Sequence, residues 1–455
     1  MQAASFRFWW VWLLLTGLAL FGFHQLYGFE VLDIYHTIWL VIPCSDIIVG
    51  FTSWEYFAQQ PWTWPLGELT RYNYPLTINI GVTDSIPIMA IVSKLFVPLL
   101  GEHFQYHGFW FLFSFLLQGF FGYKLLRALG VQNGWHLLFG TGLLLFNPVF
   151  LHRFHHPSLA CHWLVLASFW LYFEDEERLS ANQKMGWQIA FTAFVSAVHP
   201  YMAAMLFGFA LALFTKLLLI RQTTWKRVGV AFVSLAISVV FVWYAVGYFN
   251  VGGENIDRAG FGLYSMNLNA LFNSQDKTAL LPGLPLATEG QYEGFGYLGA
   301  GALLTLILAM AVLLLRKLKW QWSHALWPLL LVTLGCFVYA LSDKWTFNSW
   351  EFLRMDYPAF ITGSLRSSGR FVWPMHYLVM VAAVWAFAKS DFRQNVKMAV
   401  LAAALGLQIW DVSPMLSRDY TYVYHDGRNW GYNTNAWHPL VQDAERVITY
   451  PPYGE

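Results

Sequence analysis

Residues 86–100 read IPIMAIVSKLFVPLL, and whether they cross a membrane decides the topology of the whole chain. The stretch is apolar, but it has only 15 residues, with Lys94 inside it and a proline near each end. A membrane-crossing helix needs about 20 apolar residues. The stretch is short for a span, so the rest of the chain has to decide its role.

The composition is that of a membrane protein. Of the 455 residues, 57% are hydrophobic and 12% are charged, whereas a soluble domain has about 25% charged residues. The 24 Trp and 23 Tyr fit aromatic belts at the two membrane interfaces. We predict an all-α integral membrane protein with eleven spans, at 8–24, 108–126, 134–151, 158–174, 186–200, 202–220, 228–247, 297–315, 325–341, 373–388 and 396–411.

Charge and motifs exclude several other classes of protein. The net charge of +1 and the lack of a basic stripe argue against a nucleic-acid partner. Cys44, Cys161 and Cys336 have neither metal-site spacing nor a disulfide framework. No nucleotide or zinc-protease motif is present, so no cofactor is predicted, and a divalent metal is left open. Arg7 precedes the first apolar run, which has no cleavage site after it and is interpreted as a retained helix.

Lysine and arginine in the short loops orient the chain. Basic loops occur at 124–130, 221–227, 316–319 and 389–397, and the positive-inside rule places them in the cytoplasm. Arg7 lies on the same side only if residues 86–100 do not cross. We therefore predict that 86–100 forms a helix lying on the outer surface, with the N-terminus cytoplasmic.

This orientation puts the long polar segments on one face. They are 24–107, 152–157, 248–296, 342–372 and the tail 412–455. We expect one membrane module, residues 1–411, and a short external tail, residues 412–455. In a bacterium this face of the inner membrane is periplasmic, and the protein is expected to work there.

Two aspartates in the first external loop are candidate catalytic residues. Asp46 lies in the apolar stretch IWLVIPCSDIIVGF, where desolvation would strengthen it as a proton acceptor. Asp84 lies in VTDSIP, where it could position an acceptor hydroxyl or hold a metal. Each aspartate also has a plain alternative, because each pattern is typical of a helix N-cap, shared with Ser45 or Ser85.

Histidines cluster in the loop NPVFLHRFHHP, residues 147–157. His155 and His156 could bind a phosphate or a sugar, with a metal site or a solvated cluster as alternatives. His199 and Tyr201 lie at the next external helix end and are expected to join them. His162 is expected to make an interhelical hydrogen bond.

The later external loops supply further polar candidates. Arg366 and Arg370 flank serines directly before a helix, an arrangement that suits a phosphate. The alternative is an arginine pair that contacts lipid head groups. The loop 248–296 adds Arg258, Glu289, Tyr292 and Glu293, near glycines that indicate a tight turn.

The order of these features resembles the GT-C superfamily of membrane glycosyltransferases, which use polyprenyl-phosphate-linked sugars. A cytoplasmic N-terminus and one span precede a long external loop with acidic residues and surface helices, and a polytopic bundle follows. The resemblance implies a GT-C-like fold and an essential acid in that loop. Asp46 matches it by position, although a DxD motif is absent.

A narrower resemblance covers most of the chain. VTDSIPIMAIVSK, HHPSLACHW, VHPYM, GFGLYSMNLNALF, GQYEGFGYLG and LRSSGRFVWP are similar to segments of a bacterial group of predicted GT-C proteins. The type is also similar to enzymes that add D-arabinofuranose to type IV pilins. These resemblances imply a donor class but do not fix the sugar.

The expected function is an inverting glycosyltransferase that moves a sugar from a polyprenyl-phosphate donor to a pilin or cell-surface glycan. Asp46 would be the base and Asp84 the second catalytic acid. Arg366 and Arg370, with Arg258, would hold the phosphate. The sugar and acceptor pocket would be lined by His155, His156, His199, Tyr201, Glu289, Tyr292 and Glu293.

Three other classes compete with this expectation. A transporter or flippase of lipid-linked glycans would place charges near the bilayer midplane, whereas here they fall at helix ends. A non-catalytic receptor or assembly protein is disfavoured by the clustered Asp, His and Arg. A transferase of another group would need a nucleophile with metal ligands or a His–Asp pair.

Overall fold

The computed structural model of the protein describes residues 9–41, 46–250, 260–315, 317–318, 323–358, 362–363 and 365–416. These residues are mostly helical, which confirms the all-α fold class. Each of the eleven stretches predicted as spans contains a helix.

Thirteen helices of eight residues or more are labelled in chain order among the described residues. They are α1 Trp9–Tyr27, α2 Asp46–Gln59, α3 Pro87–Lys94, α4 His107–Ala128, α5 Gly134–Leu145, α6 Trp163–Phe173, α7 Ala181–Ser196, α8 Pro200–Leu219, α9 Trp225–Val246, α10 Ala300–Leu314, α11 Trp327–Leu341, α12 Trp373–Lys389 and α13 Gln394–Asp411. Four-residue helices lie at Ile38–Val41, Val97–Leu100, Pro148–Leu151 and Ser413–Leu416. Short 3-10 helices lie at Glu30–Leu32, Ile80–Val82, Pro157–Ala160, Tyr248–Asn250, Glu289–Gly294, His324–Leu326 and Ser368–Val372.

Six helical segments of the described chain are long and apolar enough to cross a membrane. They are Trp9–Tyr27, His107–Ala128, Pro200–Leu219, Trp225–Val246, His324–Leu341 and Ser368–Lys389. Gly134–Leu145, Pro157–Phe173 and Ala300–Leu314 are apolar but shorter. The protein therefore has the helices of a membrane protein, while eleven crossings remain a prediction.

The helices pack into one bundle whose outer flank is apolar. Helix α4 packs on α1, α5 and α6, while α10 packs on α12 and α13, and α7 on α8 and α9. Helix α9 turns Val233, Ile237 and Phe241 outwards, each more than half exposed. An exposed row of large apolar side chains is costly in water and natural in lipid, so α9 fits a lipid-facing position.

The stretch 86–100 forms two short helices, α3 and Val97–Leu100. Eight residues of α3 extend about 12 Å, less than half of the hydrocarbon thickness. The side chain of Lys94 is buried, with its Nζ 4.0 Å from the centre of the Phe57 ring and 4.8 Å from that of Trp62. The stretch therefore does not form one continuous helix of membrane-spanning length, and its surface position relative to a bilayer remains a prediction.

Two small antiparallel sheets interrupt the helices, and neither was predicted. Strands β1 (Glu68–Leu69) and β2 (Ile78–Asn79) pair Glu68 with Asn79 in the first long loop. Strands β3 (Lys344–Phe347) and β4 (Trp350–Arg354) form a hairpin after α11 that pairs Lys344 with Arg354. Four strands of two to five residues do not change the helical class.

Candidate functional site

Asp46 is the first residue of α2, where a negative charge is favoured by the helix dipole. Its side chain is 54% exposed, and its Oδ2 lies 2.6 Å from Nε2 of His156. That hydrogen bond is the largest cause that lowers the pKa of Asp46 below its usual value. Ser45, which could share the N-cap role, lies outside the described residues.

Asp84 lies in the turn between the 3-10 helix Ile80–Val82 and α3. The prediction that it caps this helix is wrong, because the N-cap of α3 is Ile86 and no side chain caps it. Asp84 and Ile86 have positive φ angles of 59° and 50°, which turn the Asp84 side chain away from the helix start. Its Oδ2 lies 3.0 Å from Nδ1 of His156, and its Oδ1 accepts a hydrogen bond from Ser158.

A network of hydrogen bonds holds this turn in its unusual conformation. Thr83 bonds the hydroxyl of Ser53 in α2 at 2.7 Å, and Tyr106 donates to the carbonyl of Ser85. A positive φ is rare for a β-branched residue such as Ile86 and has to be held by its surroundings. The turn therefore presents the Asp84 carboxylate in a fixed direction.

Helix α2 approaches the turn closely because it has a glycine at the contact. A Cβ on Gly50 would lie 2.9 Å from the backbone oxygen of Asp84, too close for any other residue without movement. Gly50 follows Asp46 by one helical turn and lies on the same face of α2. The contact at Gly50 thus also places Asp46 beside Asp84.

His156 links the two aspartates. It lies in the turn after Pro148–Leu151, and each ring nitrogen faces a carboxylate oxygen. Burial opposes a charge on the ring, but the charge of Asp84 and the hydrogen bonds to both aspartates prevail and raise the pKa of His156 to about 9. Burial raises the pKa of Asp84, which is the more enclosed of the two carboxylates.

A second cluster consists of Glu293 between two arginines. Arg370 binds Glu293 through two hydrogen bonds of 2.9 and 2.7 Å, and Arg153 adds one of 3.1 Å. All three side chains are buried. Burial opposes the charge on Glu293, but Arg370 and Arg153 hold its pKa far below the usual value.

Two glycines bring the segments of this cluster together. Glu293 lies in the 3-10 helix Glu289–Gly294, and Arg370 lies in Ser368–Val372. A Cβ on Gly369 would lie 2.7 Å from the Cα of Gly294, so the two backbones touch. This contact sets the two-point pairing between Arg370 and Glu293.

Aromatic rings support both guanidinium groups. Arg370 lies 5.0 Å from the ring centre of Tyr201, and Arg153 lies 5.1 Å from that of Trp373. The Tyr201 hydroxyl accepts a 2.8 Å hydrogen bond from the backbone N–H of Ser367. His199 is the N-cap of α8, and its Nδ1 accepts from the N–H of Tyr201 at 3.2 Å.

The two clusters form one site. The charge of Arg370 lowers the pKa of Asp46, and the charge of Glu293 raises it, so both lie within electrostatic reach of the exposed carboxylate. With His156 protonated, three positive groups balance three carboxylates. We call this group, Asp46, Asp84, Arg153, His156, Glu293 and Arg370, the charged cluster.

The other predicted site residues lie outside the charged cluster. His155 contacts the ring of Phe154, while Arg366, Glu289 and Tyr292 are exposed. Arg366 and Arg370, predicted to hold a phosphate together, lie in different surroundings, because Arg370 is buried against Glu293 and Arg366 is exposed. Arg258 lies outside the described residues. His162 makes the expected interhelical bond, 3.1 Å from the hydroxyl of Tyr377 to its Nδ1.

No site role was assigned to Ser158 from the sequence, and the sequence did not indicate Glu293 as the partner of Arg153. Arg153 stands in the histidine-rich loop that the sequence singles out, but its partner Glu293 is 140 residues away. Ser158 follows His156 by two residues and has no signature of its own. The composition of the loop 147–157 was the available signal for Arg153, and Ser158 had none.

The fold and the site define a helical protein with membrane-length helices and one charged cluster drawn from widely separated segments. The sequence matches the family described as Domain of unknown function (DUF6311) over residues 14–413, and the chain belongs to that family. The matched region contains the entire charged cluster. No curated protein matches the sequence.

Proposed function

We propose that the protein is an inverting glycosyltransferase of the GT-C type in the bacterial inner membrane. It would transfer a sugar from a polyprenyl-phosphate donor to an acceptor on the periplasmic side. The proposal includes eleven crossings, a cytoplasmic N-terminus and the surface position of residues 86–100. The sequence resemblance makes D-arabinofuranose the first sugar to test and a pilin the first acceptor.

The origin of the clustered residues supports the orientation. Asp46 and Asp84 come from the segment 24–107, His156 from 152–157, Glu293 from 248–296 and Arg370 from 342–372. These are four of the segments that charge asymmetry places on the external face. Their meeting in one cluster is the outcome expected if all four lie on the same side of the bilayer.

The single observation that carries the proposal is an exposed carboxylate held by His156 within electrostatic reach of the buried Arg370. Asp46 is fixed by a 2.6 Å hydrogen bond yet remains 54% exposed, so a substrate can reach it. The hydrogen bond from His156 lowers the pKa of Asp46, so the expectation that desolvation strengthens it as a proton acceptor is wrong. Its suitability as a base depends on its ionised state, its fixed position and its access to a substrate. A base for an acceptor hydroxyl needs this combination of fixed position, charge and access.

The proposed reaction needs one base and one phosphate site. Asp46 takes the proton of the acceptor hydroxyl as the acceptor oxygen bonds the anomeric carbon of the sugar. The bond from that carbon to the phosphate oxygen breaks, and its electron pair leaves with the polyprenyl phosphate. Attack from the face opposite the phosphate inverts the anomeric centre.

Buried donors beside the charged cluster support a phosphate site. Arg153 Nε, Ser368 Oγ and Trp373 Nε1 have no hydrogen-bond partner among the described residues. A buried donor without a partner costs about 1–3 kcal/mol. Phosphate oxygens are strong acceptors that would satisfy such groups, and cationic donors stabilise the charge of the leaving phosphate.

A transporter of lipid-linked glycans is the alternative, and the position of the charges disfavours it. Inside the described bundle, the hydroxyl of Tyr377 lies 2.9 Å from Nε2 of Gln118 and 3.1 Å from Nδ1 of His162. These buried polar contacts are hydrogen bonds and not ion pairs. The charged cluster lies at helix starts and in turns. Surface chemistry therefore fits better than passage through the middle of the bundle.

The test is transfer by the purified protein in lipid nanodiscs. Polyprenyl-phosphate-linked sugars, beginning with D-arabinofuranose, are offered with candidate pilins, and intact-mass spectrometry reads the product. Asp46→Asn should lower transfer at least about 100-fold, since a positioned base contributes that much. The matched control is Asp33→Asn, which changes an exposed aspartate in the same loop. Full activity of Asp46→Asn would contradict the role of Asp46 as base.

A further inference from the structure

The ring of His156 has a carboxylate at each nitrogen. Nε2 lies 2.6 Å from Asp46 and Nδ1 lies 3.0 Å from Asp84. An ionised carboxylate only accepts hydrogen bonds. With both aspartates ionised, both ring nitrogens must donate, and the ring is an imidazolium cation.

The two carboxylates differ in what else they can contact. The side chain of Asp84 is 13% exposed, and its second oxygen is occupied by Ser158. Asp46 is 54% exposed and projects from the start of α2. A substrate can therefore reach Asp46, whereas Asp84 faces the protein interior.

We propose that His156 is a positioning residue, an imidazolium that carries the influence of Asp84 to Asp46 and holds Asp46 ionised and correctly oriented. Asp84 then acts through His156 and does not contact the substrate, which differs from the role of second catalytic acid expected from the sequence. This inference rests on the proposed function, in which Asp46 is the base.

Charged groups on neighbouring elements act on the same ring. Asp46 on α2 and Asp84 before α3 favour the cation, while Arg370 before α12 opposes it. Glu293, Arg153 and His199 complete the surroundings, and each interacts electrostatically with the other charged groups of the site. The two carboxylates in direct contact outweigh the more distant arginine.

The first experiment is the pH profile of transfer for the wild type and for His156→Gln. Glutamine can donate to one aspartate but cannot carry the positive charge. We expect kcat at pH 7 to fall roughly 100-fold, because a misplaced catalytic group reduces the rate by about this factor. The acid limb should move to higher pH, because Asp46 loses the donor that lowers its pKa. A loss of rate with an unmoved acid limb would overturn the positioning role.

The decline of wild-type activity at alkaline pH gives a second test from the same pH profile. The imidazolium is lost as pH rises through about 9, so activity should decline there. The matched control is His103→Gln, which removes an exposed histidine that pairs with Glu55 at 2.8 Å. In this variant, the fall of activity at acid pH and at alkaline pH should stay where it is in the wild type. If the pH profile shifted as much as in His156→Gln, the assignment to His156 would be overturned.

An experiment without turnover separates this inference from the proposed function. In protein labelled with ¹⁵N-histidine, solid-state NMR at pH 7.5 distinguishes an imidazolium from a neutral ring. The wild type should give an imidazolium signal that disappears in His156→Gln, and His103→Gln identifies any signal of His103, whose pKa is raised by its hydrogen bond to Glu55. If His156→Gln does not fold, Asp84→Asn retains His156 and should convert the signal to the neutral form.

The outcomes are distinct. A neutral His156 at pH 7.5 in the wild type overturns the imidazolium link, whether or not the protein transfers sugar. An imidazolium that converts in Asp84→Asn supports the link even if no glycosyl transfer is found. In that case the proposed function alone fails.

Discussion

At the scale of single residues, the site depends on charges that compensate one another in buried surroundings. Arg153 and Arg370 would each be costly to bury alone, and Glu293 compensates both through three hydrogen bonds. Such a group adds little net stability compared with apolar residues, but removing one member is expensive. We therefore infer that it is kept for its charge and position.

This argument predicts the effect of Glu293→Gln. The variant leaves two buried guanidinium groups without their carboxylate, so the free energy of unfolding should fall by about 3–5 kcal/mol. Thermal unfolding of the detergent-purified protein measures the change. Glu289→Gln is the control, since Glu289 is exposed in the same 3-10 helix and its loss should alter stability little. If Glu293→Gln and the wild type unfolded at the same temperature, the structural importance of the cluster would be contradicted.

At the scale of elements, close backbone contacts decide where the functional groups lie. Helix α2 meets the Asp84 turn at Gly50, and the segment of Glu293 meets that of Arg370 through Gly294 and Gly369. A side chain at Gly50 or Gly369 would separate the elements that meet there. The site is thus positioned by small residues that take no part in its chemistry.

The effect of Gly50→Ala follows from this contact. Alanine favours a helix over glycine by about 1 kcal/mol, yet its Cβ would lie 2.9 Å from the Asp84 carbonyl oxygen. The turn has to move, and with it the hydrogen bonds that link Asp46, His156 and Asp84. We expect transfer activity to fall roughly 10-fold or more, measured as kcat in nanodiscs.

Gly186→Ala is the matched control for this prediction. Gly186 lies within α7, and a Cβ there would meet nothing within 4 Å. The substitution should keep activity and raise stability by up to about 1 kcal/mol. If Gly50→Ala behaved in the same way, the contact would not position the site.

The helices could be predicted from the sequence, but the contacts between the site residues could not. Long apolar runs bounded by charged residues and proline are local features of the sequence. They predict helices directly, and every predicted span contains a helix. The left-handed φ of Ile86 depends on Thr83, Ser85 and Tyr106 holding the turn, which no local pattern shows. Likewise Glu293 and Arg153 are 140 residues apart, and only the packed bundle brings them together.

Asp84 shows the same limit at one position. Its sequence VTDSIP has an acid and a serine shortly before a proline at a helix start, which favours a cap. The structure uses the carboxylate for His156 instead, because the backbone turns over at Asp84 and Ile86. A local pattern predicts the helix start correctly and still misassigns the side chain.

At the scale of the whole molecule, the asymmetry between the two faces links topology to function. In the proposed topology, the short basic loops lie at the cytoplasmic ends of the helices, and the charged cluster is assembled from segments at the external ends. A lipid-linked donor keeps its tail in the bilayer, so its sugar and phosphate are presented at an interface. A reaction centre built at the helix ends on a single face suits such a donor.

This arrangement predicts the accessibility of single cysteines in a variant that lacks Cys44, Cys161 and Cys336. Val82→Cys and Glu102→Cys each put a cysteine at an exposed position, one before and one after residues 86–100. Gln222→Cys puts one at an exposed position in a basic loop. A membrane-impermeant maleimide applied to intact spheroplasts should label the first two and leave the third unlabelled until the membrane is opened. Because α3 is too short to span, Val82→Cys and Glu102→Cys should react from the same side. Labelling of these two positions from opposite sides would make residues 86–100 a crossing and invert the faces of the later helices. Asp46 and Asp84 would then lie on the opposite side of the membrane from the other members of the charged cluster, which would contradict the proposed topology.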